Sequence, residues 1–270
     1  MSPRTPEPTI RVHVEPTNPG QFFACCGLLE LADRLWDGAA GWFEDGLFSI
    51  LPTSAPPAEC VLSALIDMTR RAPLEQLDAG NDCSSPIRLG SPFNITLDWW
   101  LDTRGGGNRL KVWAGSMRSV RIASAMRAAL QCKECRSESL LDHGMVVFDP
   151  GEPDKKVEPY YFDGRRGGNA QSRDIGFAPD ALQMTSAAFP AVEFLCLIGL
   201  QRFRPAPTDQ ALVFEYSAWS EPSTPSAAAA YACGMIPDEG ARRYRFENSF
   251  RTDQKKHKAF LPAIPVGANR

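Results

Sequence analysis

The ten residues AVEFLCLIGL, from Ala191 to Leu200, are apolar on nearly every side of the helix they would form. A helix without a polar face has to be enclosed by other elements, so it belongs at the centre of a core and not on a surface. Pro190 suits the first position of that helix, where its missing N–H costs nothing. A second segment, Gln21 to Trp36, places Phe22, Cys25, Cys26, Leu29, Ala32 and Leu35 at three- and four-residue spacing and predicts another largely buried helix. A chain of 270 residues is long enough to wrap layers around two such helices.

The layers are predicted from strand-like segments between helices. Thr9 to Val14 alternates polar and apolar residues, and Asn18-Pro19-Gly20 is a turn signal. Short strands are expected within Gly41 to Leu51, at Ile95 to Asp102, Leu110 to Trp113, Gly144 to Phe148, Tyr160 to Phe162, Leu212 to Tyr216 and Arg243 to Phe250. Helices are expected at Ala58 to Arg71, Ser116 to Leu130 and Ala227 to Cys233. This mixture predicts an α/β (α+β) fold: one domain over residues 9–260, a subdivision near 150–160 being left open, with tails at 1–8 and 261–270. No apolar run reaches the roughly 20 residues of a membrane span, and the Pro-rich start carries no signal pattern. A cytoplasmic protein with no membrane partner is expected. Eight cysteines are too sparse for a disulfide scaffold, and Cys25, Cys26 and Cys196 read as small buried hydrophobes.

The net charge of −3 argues against a uniformly basic nucleic-acid binder, but its distribution does not. Arg104 to Arg127 holds six basic residues and no acidic one, and Arg242 to Lys258 holds seven against two acids. These windows carry +6 and +5, which leaves −14 for the rest of the chain. Such polarisation suits one face for a polyanion and another for protein or solvent.

Catalytic signatures are missing. The three histidines, His13, His143 and His257, show no HExxH-like spacing, and no dinucleotide, phosphate-loop, GxSxG or kinase motif occurs. His13 is the one candidate general base for RNA cleavage, with Arg11 on the same strand face; a half-exposed strand histidine is the plainer reading. Cys132-Lys133-Glu134-Cys135 is a CxxC, but only His143 lies nearby as a further ligand and no second CxxC exists. No catalytic residue, no metal and no cofactor are therefore expected.

What remains is a binding constellation. Two glycine-rich loops, RGGGN at Arg104 to Asn108 and RRGGN at Arg165 to Asn169, present arginine, and Arg118 and Arg121 stand one turn apart on a helix. Arg104, Arg109, Lys111, Arg118, Arg121, Arg165, Arg166, Arg251, Lys255 and Lys256 are the candidate phosphate contacts. Trp99, Trp100 and Trp113 lie beside them and could stack on bases; in an alternating strand one of Trp99 and Trp100 would be left over for a partner surface or ligand, unless the strand is covered on both faces.

Three strings carry a family resemblance: TNPGQFFACCGLLELADRLW (Thr17 to Trp36), SPFNITLDWW with LKVWAG (Ser91 to Gly115) and FPAVEFLCLIGLQRFRP (Phe189 to Pro205). They resemble the Csb-type subunits of type I-G (formerly I-U) CRISPR systems, most nearly the third Csb family, over residues 9 to about 260. The resemblance implies a subunit of an RNA-guided, Cascade-type effector complex in antiviral defence. It also implies guide RNA or target DNA and other effector subunits as partners. The implied fold is a divergent RAMP protein on a ferredoxin-like, RRM-related βαββαβ core with helical insertions. The glycine-rich loop usual near the C-terminus of RAMP proteins is not apparent. In those systems guide processing belongs to another subunit, which agrees with the missing histidine machinery.

Overall fold

The computed structural model of the chain describes residues 7–54, 56–57, 61–78, 85–102, 108–114, 117–165, 187–238, 240–251, 255 and 257–267. Its centre is the pair α1 (Pro19–Leu35) and α4 (Pro190–Arg202). Pro190 to Leu200 are buried without exception, as a helix apolar all round requires. Asn18 is the N-cap of α1, its side chain accepting from Gly20 N and Gln21 N, and Pro19 occupies the first turn. The Asn18-Pro19-Gly20 turn signal is therefore the start of the helix itself.

The two helices touch backbone to backbone. A Cβ on Gly199 would overlap the Phe23 carbonyl oxygen and lie 2.8 Å from Gly27 N, and one on Gly27 would overlap the Leu195 carbonyl oxygen. Beside this crossing Glu30 is buried and accepts from Arg34 (2.7 Å) and Arg202 (2.6 Å). Burial alone would raise its carboxyl, but the hydrogen bonds from Arg202 and Arg34 outweigh that and hold it below the usual range.

Around the helices lie antiparallel sheets. β1 (Ile10–His13), β2 (Ala39–Glu44) and β3 (Leu47–Pro52) form a sheet in the order β1-β3-β2. α2 (Val61–Arg71) leads into β4 (Leu74–Gln76), β5 (Ile87–Leu89) and β6 (Ile95–Leu97), a second sheet. After α3 (Ser119–Ala129) the chain makes the hairpin of β7 (Phe148–Asp149) and β8 (Glu152–Lys156). Beyond α4, β9 (Ala206–Pro207) and β10 (Val213–Ala218) precede α5 (Pro225–Ala232). β11 (Arg242–Phe250), β12 (Lys258–Phe260) and β13 (Ile264–Pro265) follow. The last sheet runs β12-β11-β10-β9, with β13 also on β11. The fold is α+β. The order β1-β3-β2 is the one the βαββ half of a ferredoxin-like core has, whereas β4 pairs with β5 and not beside β1.

The first and last sheets are joined through aromatic packing on α1. Phe22 stacks on Phe43 of β2 (5.0 Å) and lies 4.4 Å from Tyr216 of β10. Trp219 Nε1 donates to the Gly41 carbonyl (2.7 Å), and Phe43 N donates to the Trp219 carbonyl (2.9 Å). Residues 261–267, expected as a tail, are tied in: Ala263 N donates to Thr17 O (2.7 Å) and Ile264 pairs with Arg245. The expected tail at 1–8 lies outside the described residues up to residue 6. Among the described residues no helix is long and apolar enough to cross a membrane.

Several expected strands are not strands. Ile95 to Asp102 pairs only as far as Leu97 and then forms a 3-10 turn at Trp99–Leu101. Leu110 to Trp113 and Tyr160 to Phe162 form no ladder; each accepts a single backbone hydrogen bond from β12, at the Val112 and Tyr161 carbonyls, and is otherwise held by side chains. The second of these threads between α1 and α4. Glu193, wholly buried on α4, accepts from Phe162 N (3.3 Å) and Asp163 N (3.2 Å). Asn18 Oδ1 accepts from Gly164 N (2.9 Å), and Asn18 Nδ2 donates to the buried Asp163 (2.9 Å). Each buried polar group named here has a partner, which is what makes this irregular segment tolerable in a core.

Candidate nucleic-acid interface

The loop from Asn108 to Ala114 is fixed from below by three tryptophans. Asn108 Nδ2 donates to the Trp99 carbonyl (3.0 Å) and its Oδ1 accepts from Leu110 N (2.8 Å). Trp99, Trp100 and Trp113 are 0%, 0% and 3% exposed and meet edge to face, 5.6 Å between the first two and 5.1 Å between the last two. The expectation of a ring left over for base stacking is corrected. The alternation argument required a strand at Trp99-Trp100, and a 3-10 turn lets both rings point inward.

From this support the loop meets the β11–β12 hairpin. Lys258 N donates to the Val112 carbonyl (2.9 Å). Lys258 Nζ (2.9 Å) and Asn248 Nδ2 (2.7 Å) both donate to the Arg109 carbonyl. The two basic windows of the sequence thus become one surface, with Arg109 exposed, Lys111 half-buried over Trp113 (5.1 Å) and Lys255 exposed. Arg251 lays its guanidinium over Tyr161 at 3.4 Å, and its buried Nε has no hydrogen-bond partner among the described residues. Burial, and then the charge of Lys111, lower the Lys258 ammonium to a pKa of about 8. A lysine held this way by another cation is stabilised by any anion that arrives.

No protein-family model and no curated protein matches the chain.

The other expected phosphate contacts fall elsewhere. Arg118 is exposed at the N-cap of α3. Arg121, expected as a phosphate contact, instead turns to the β7–β8 hairpin, bonding Asp149 and Glu152 (2.7 Å). Arg165 bonds Asp163 (2.7 Å), Asp142 (3.0 Å) and the Leu141 carbonyl (2.6 Å), and stacks on Phe189. Both are committed to carboxylates, so a phosphate would have to displace those partners. On β11, Arg243 and Arg245 share Glu215 in the same way. Arg104, Arg166 and Lys256 lie outside the described residues.

Sequence reasoning passed over Lys258, a member of the basic run, and also Asn248 and Tyr161. The last two act through contacts 139 residues away in one case and a cation–π stack in the other, and neither leaves a local pattern. His13 is half-exposed on β1, its Nε2 3.8 Å from Glu138.

Proposed function

We propose that the chain is a non-catalytic subunit of an RNA-guided, Cascade-type CRISPR effector complex in antiviral defence. In this reading the Asn108–Ala114 loop and the β11–β12 hairpin hold the backbone of guide RNA or target DNA. One observation carries it: basic segments 149 residues apart are hydrogen-bonded into one cationic surface at Arg109, Lys111 and Lys258. In guide-directed complexes base pairing reads sequence and protein reads backbone and shape, so cations on a rigid support are the required chemistry.

The test is a binding titration of the purified chain against guide RNA and duplex target DNA over a salt series. Arg109→Ala with Lys111→Ala is expected to lower the log–log salt slope by roughly 1 to 2 and weaken all sequences equally. An unaltered slope would make this surface a contact for an acidic partner subunit. His13→Ala is expected to leave a repeat RNA as intact as the wild type does; cleavage abolished by that change would favour a metal-independent ribonuclease instead.

A second expectation concerns pH. The unfolded chain binds more protons than the folded one between about pH 8 and 10.5 at Lys258, so this group's contribution to stability improves as pH rises through that window. Binding should move the other way and weaken above about pH 8, where Lys258 loses its charge. Lys258→Arg, which stays protonated, should flatten the pH dependence of affinity. If affinity falls equally in Lys258→Arg, the titrating group is another one.

A further inference from the structure

We propose that Cys132, Cys135, His143 and Glu134 bind one zinc ion in a closed structural site. The CxxC lies just past α3, where Cys132 N donates to the Ala129 carbonyl (3.3 Å) and Lys133–Arg136 form a 3-10 turn. A second 3-10 turn, Leu140–Asp142, brings the chain back so that His143 faces the motif. One ligand atom each of Cys132, Glu134 and His143 lie within 4.8 Å of one another, all three side chains half-buried. Cys135, buried, puts its Sγ 2.8 Å from that of Cys132. No hydrogen bond or ion pair engages the His143 ring among the described residues.

Two thiolates with an imidazole and a carboxylate select zinc over magnesium or calcium, which want oxygen alone. With Zn–S near 2.3 Å and Zn–N and Zn–O near 2.0 to 2.2 Å, a tetrahedral site needs its donors about 3.3 to 3.8 Å apart. The cluster of Cys132, Glu134 and His143 admits that; Cys135 is not within it, is placed by its contact with the Cys132 sulfur alone, and must turn its Sγ toward the other two donors. The two sulfurs must open by about 1 Å from their present separation to reach the separation such bonds impose. The loaded site would carry a charge of −1, and Arg136, bonded to the Cys132 carbonyl (2.7 Å), stands beside it with its own charge shared with Asp67. From sequence the motif is one ligand short; Glu134 supplies it from between the cysteines.

Such an ion would staple two 3-10 turns into one unit in a stretch without α-helix or β-ladder. That unit supports neighbours: the Glu138 carbonyl accepts from His13 N (2.8 Å), and Leu141 and Asp142 accept from Gln21 and Arg165.

The experiment is elemental analysis of the tag-free chain, purified without chelator from zinc-supplied medium. About one zinc per chain is expected, released when a thiol reagent is added and detected by a chromogenic chelator. Cobalt exchanged into the wild-type chain should show thiolate charge-transfer absorption, which needs no variant to fold. Cys132→Ser and His143→Ala should each lose most of the metal. Two outcomes overturn the proposal: metal-free protein with both thiols titrating as free, or protein carrying a Cys132–Cys135 disulfide by mass.

Discussion

Replacing Gly199 by alanine is expected to destabilise the protein by about 3 kcal/mol or more, although alanine is the better helix former by roughly 1 kcal/mol. The steric cost wins because of what the new methyl meets. It would overlap the Phe23 carbonyl oxygen and approach Gly27 N to 2.8 Å, and both belong to helix backbone. A side chain could swing aside; a buried helix cannot, because every residue from Pro19 to Ala32 is packed. Relief requires α1 to move away from α4, and α1 is itself packed against β10, with Phe22 and Phe23 lying on Tyr216. Urea titration should show an earlier midpoint, and Gly199→Val should give no soluble protein. Gly267→Ala, with nothing within 4 Å of the added carbon, is the control and should fall within about 0.5 kcal/mol. A wild-type midpoint for Gly199→Ala would show that the two helices do not cross there.

The same crossing shows what the sequence made legible. The two central helices were readable because their constraint is local: an apolar stretch with a good first-turn proline has one way to be satisfied. β10, β11 and α5 followed from periodicity for the same reason. Where the chain runs irregularly the reading failed, and each failure has a cause. Tyr160 to Phe162 looks like a strand, but the amides of Phe162 and the following Asp163 are taken by Glu193, a long-range partner no window contains. Trp99-Trp100 looks like alternation, but a 3-10 turn follows Asp98. Ile264–Pro265 looks like a tail because its register on β11 is set by a strand it does not adjoin.

The candidate interface divides along the same line. Its charge was visible as two basic windows. Which cations stand open was not visible, because that depends on where the acids fall. Arg121 and Arg165 lost their availability to Asp149, Glu152, Asp163 and Asp142, all of them distant or across a turn. Arg109, Lys111 and Lys258 came together because loop and hairpin share hydrogen bonds at the Arg109 and Val112 carbonyls.

Changing Glu193 to alanine is the second large effect. It would strand two buried donors, Phe162 N and Asp163 N, at roughly 1–3 kcal/mol each, and leave a void inside α4's packing. The loss should reach roughly 2–6 kcal/mol in urea titration, and hydrogen exchange at those two amides should speed up before the rest of the core. Glu193→Gln retains one carbonyl acceptor and should lose about half as much. The consequence extends to the interface, since the freed segment contains Tyr161. Its ring carries Arg251 and its carbonyl accepts from Phe260 N (3.0 Å) on β12. Glu193→Ala should therefore weaken nucleic-acid binding under conditions where it is still folded, with the salt slope lowered at most by the one contact of Arg251. Arg109→Ala with Lys111→Ala should lower the slope further, with stability intact. If Glu193→Ala unfolds at the wild-type urea concentration, the segment from Tyr160 to Arg165 is not anchored on α4, and the support assigned to Arg251 falls with it.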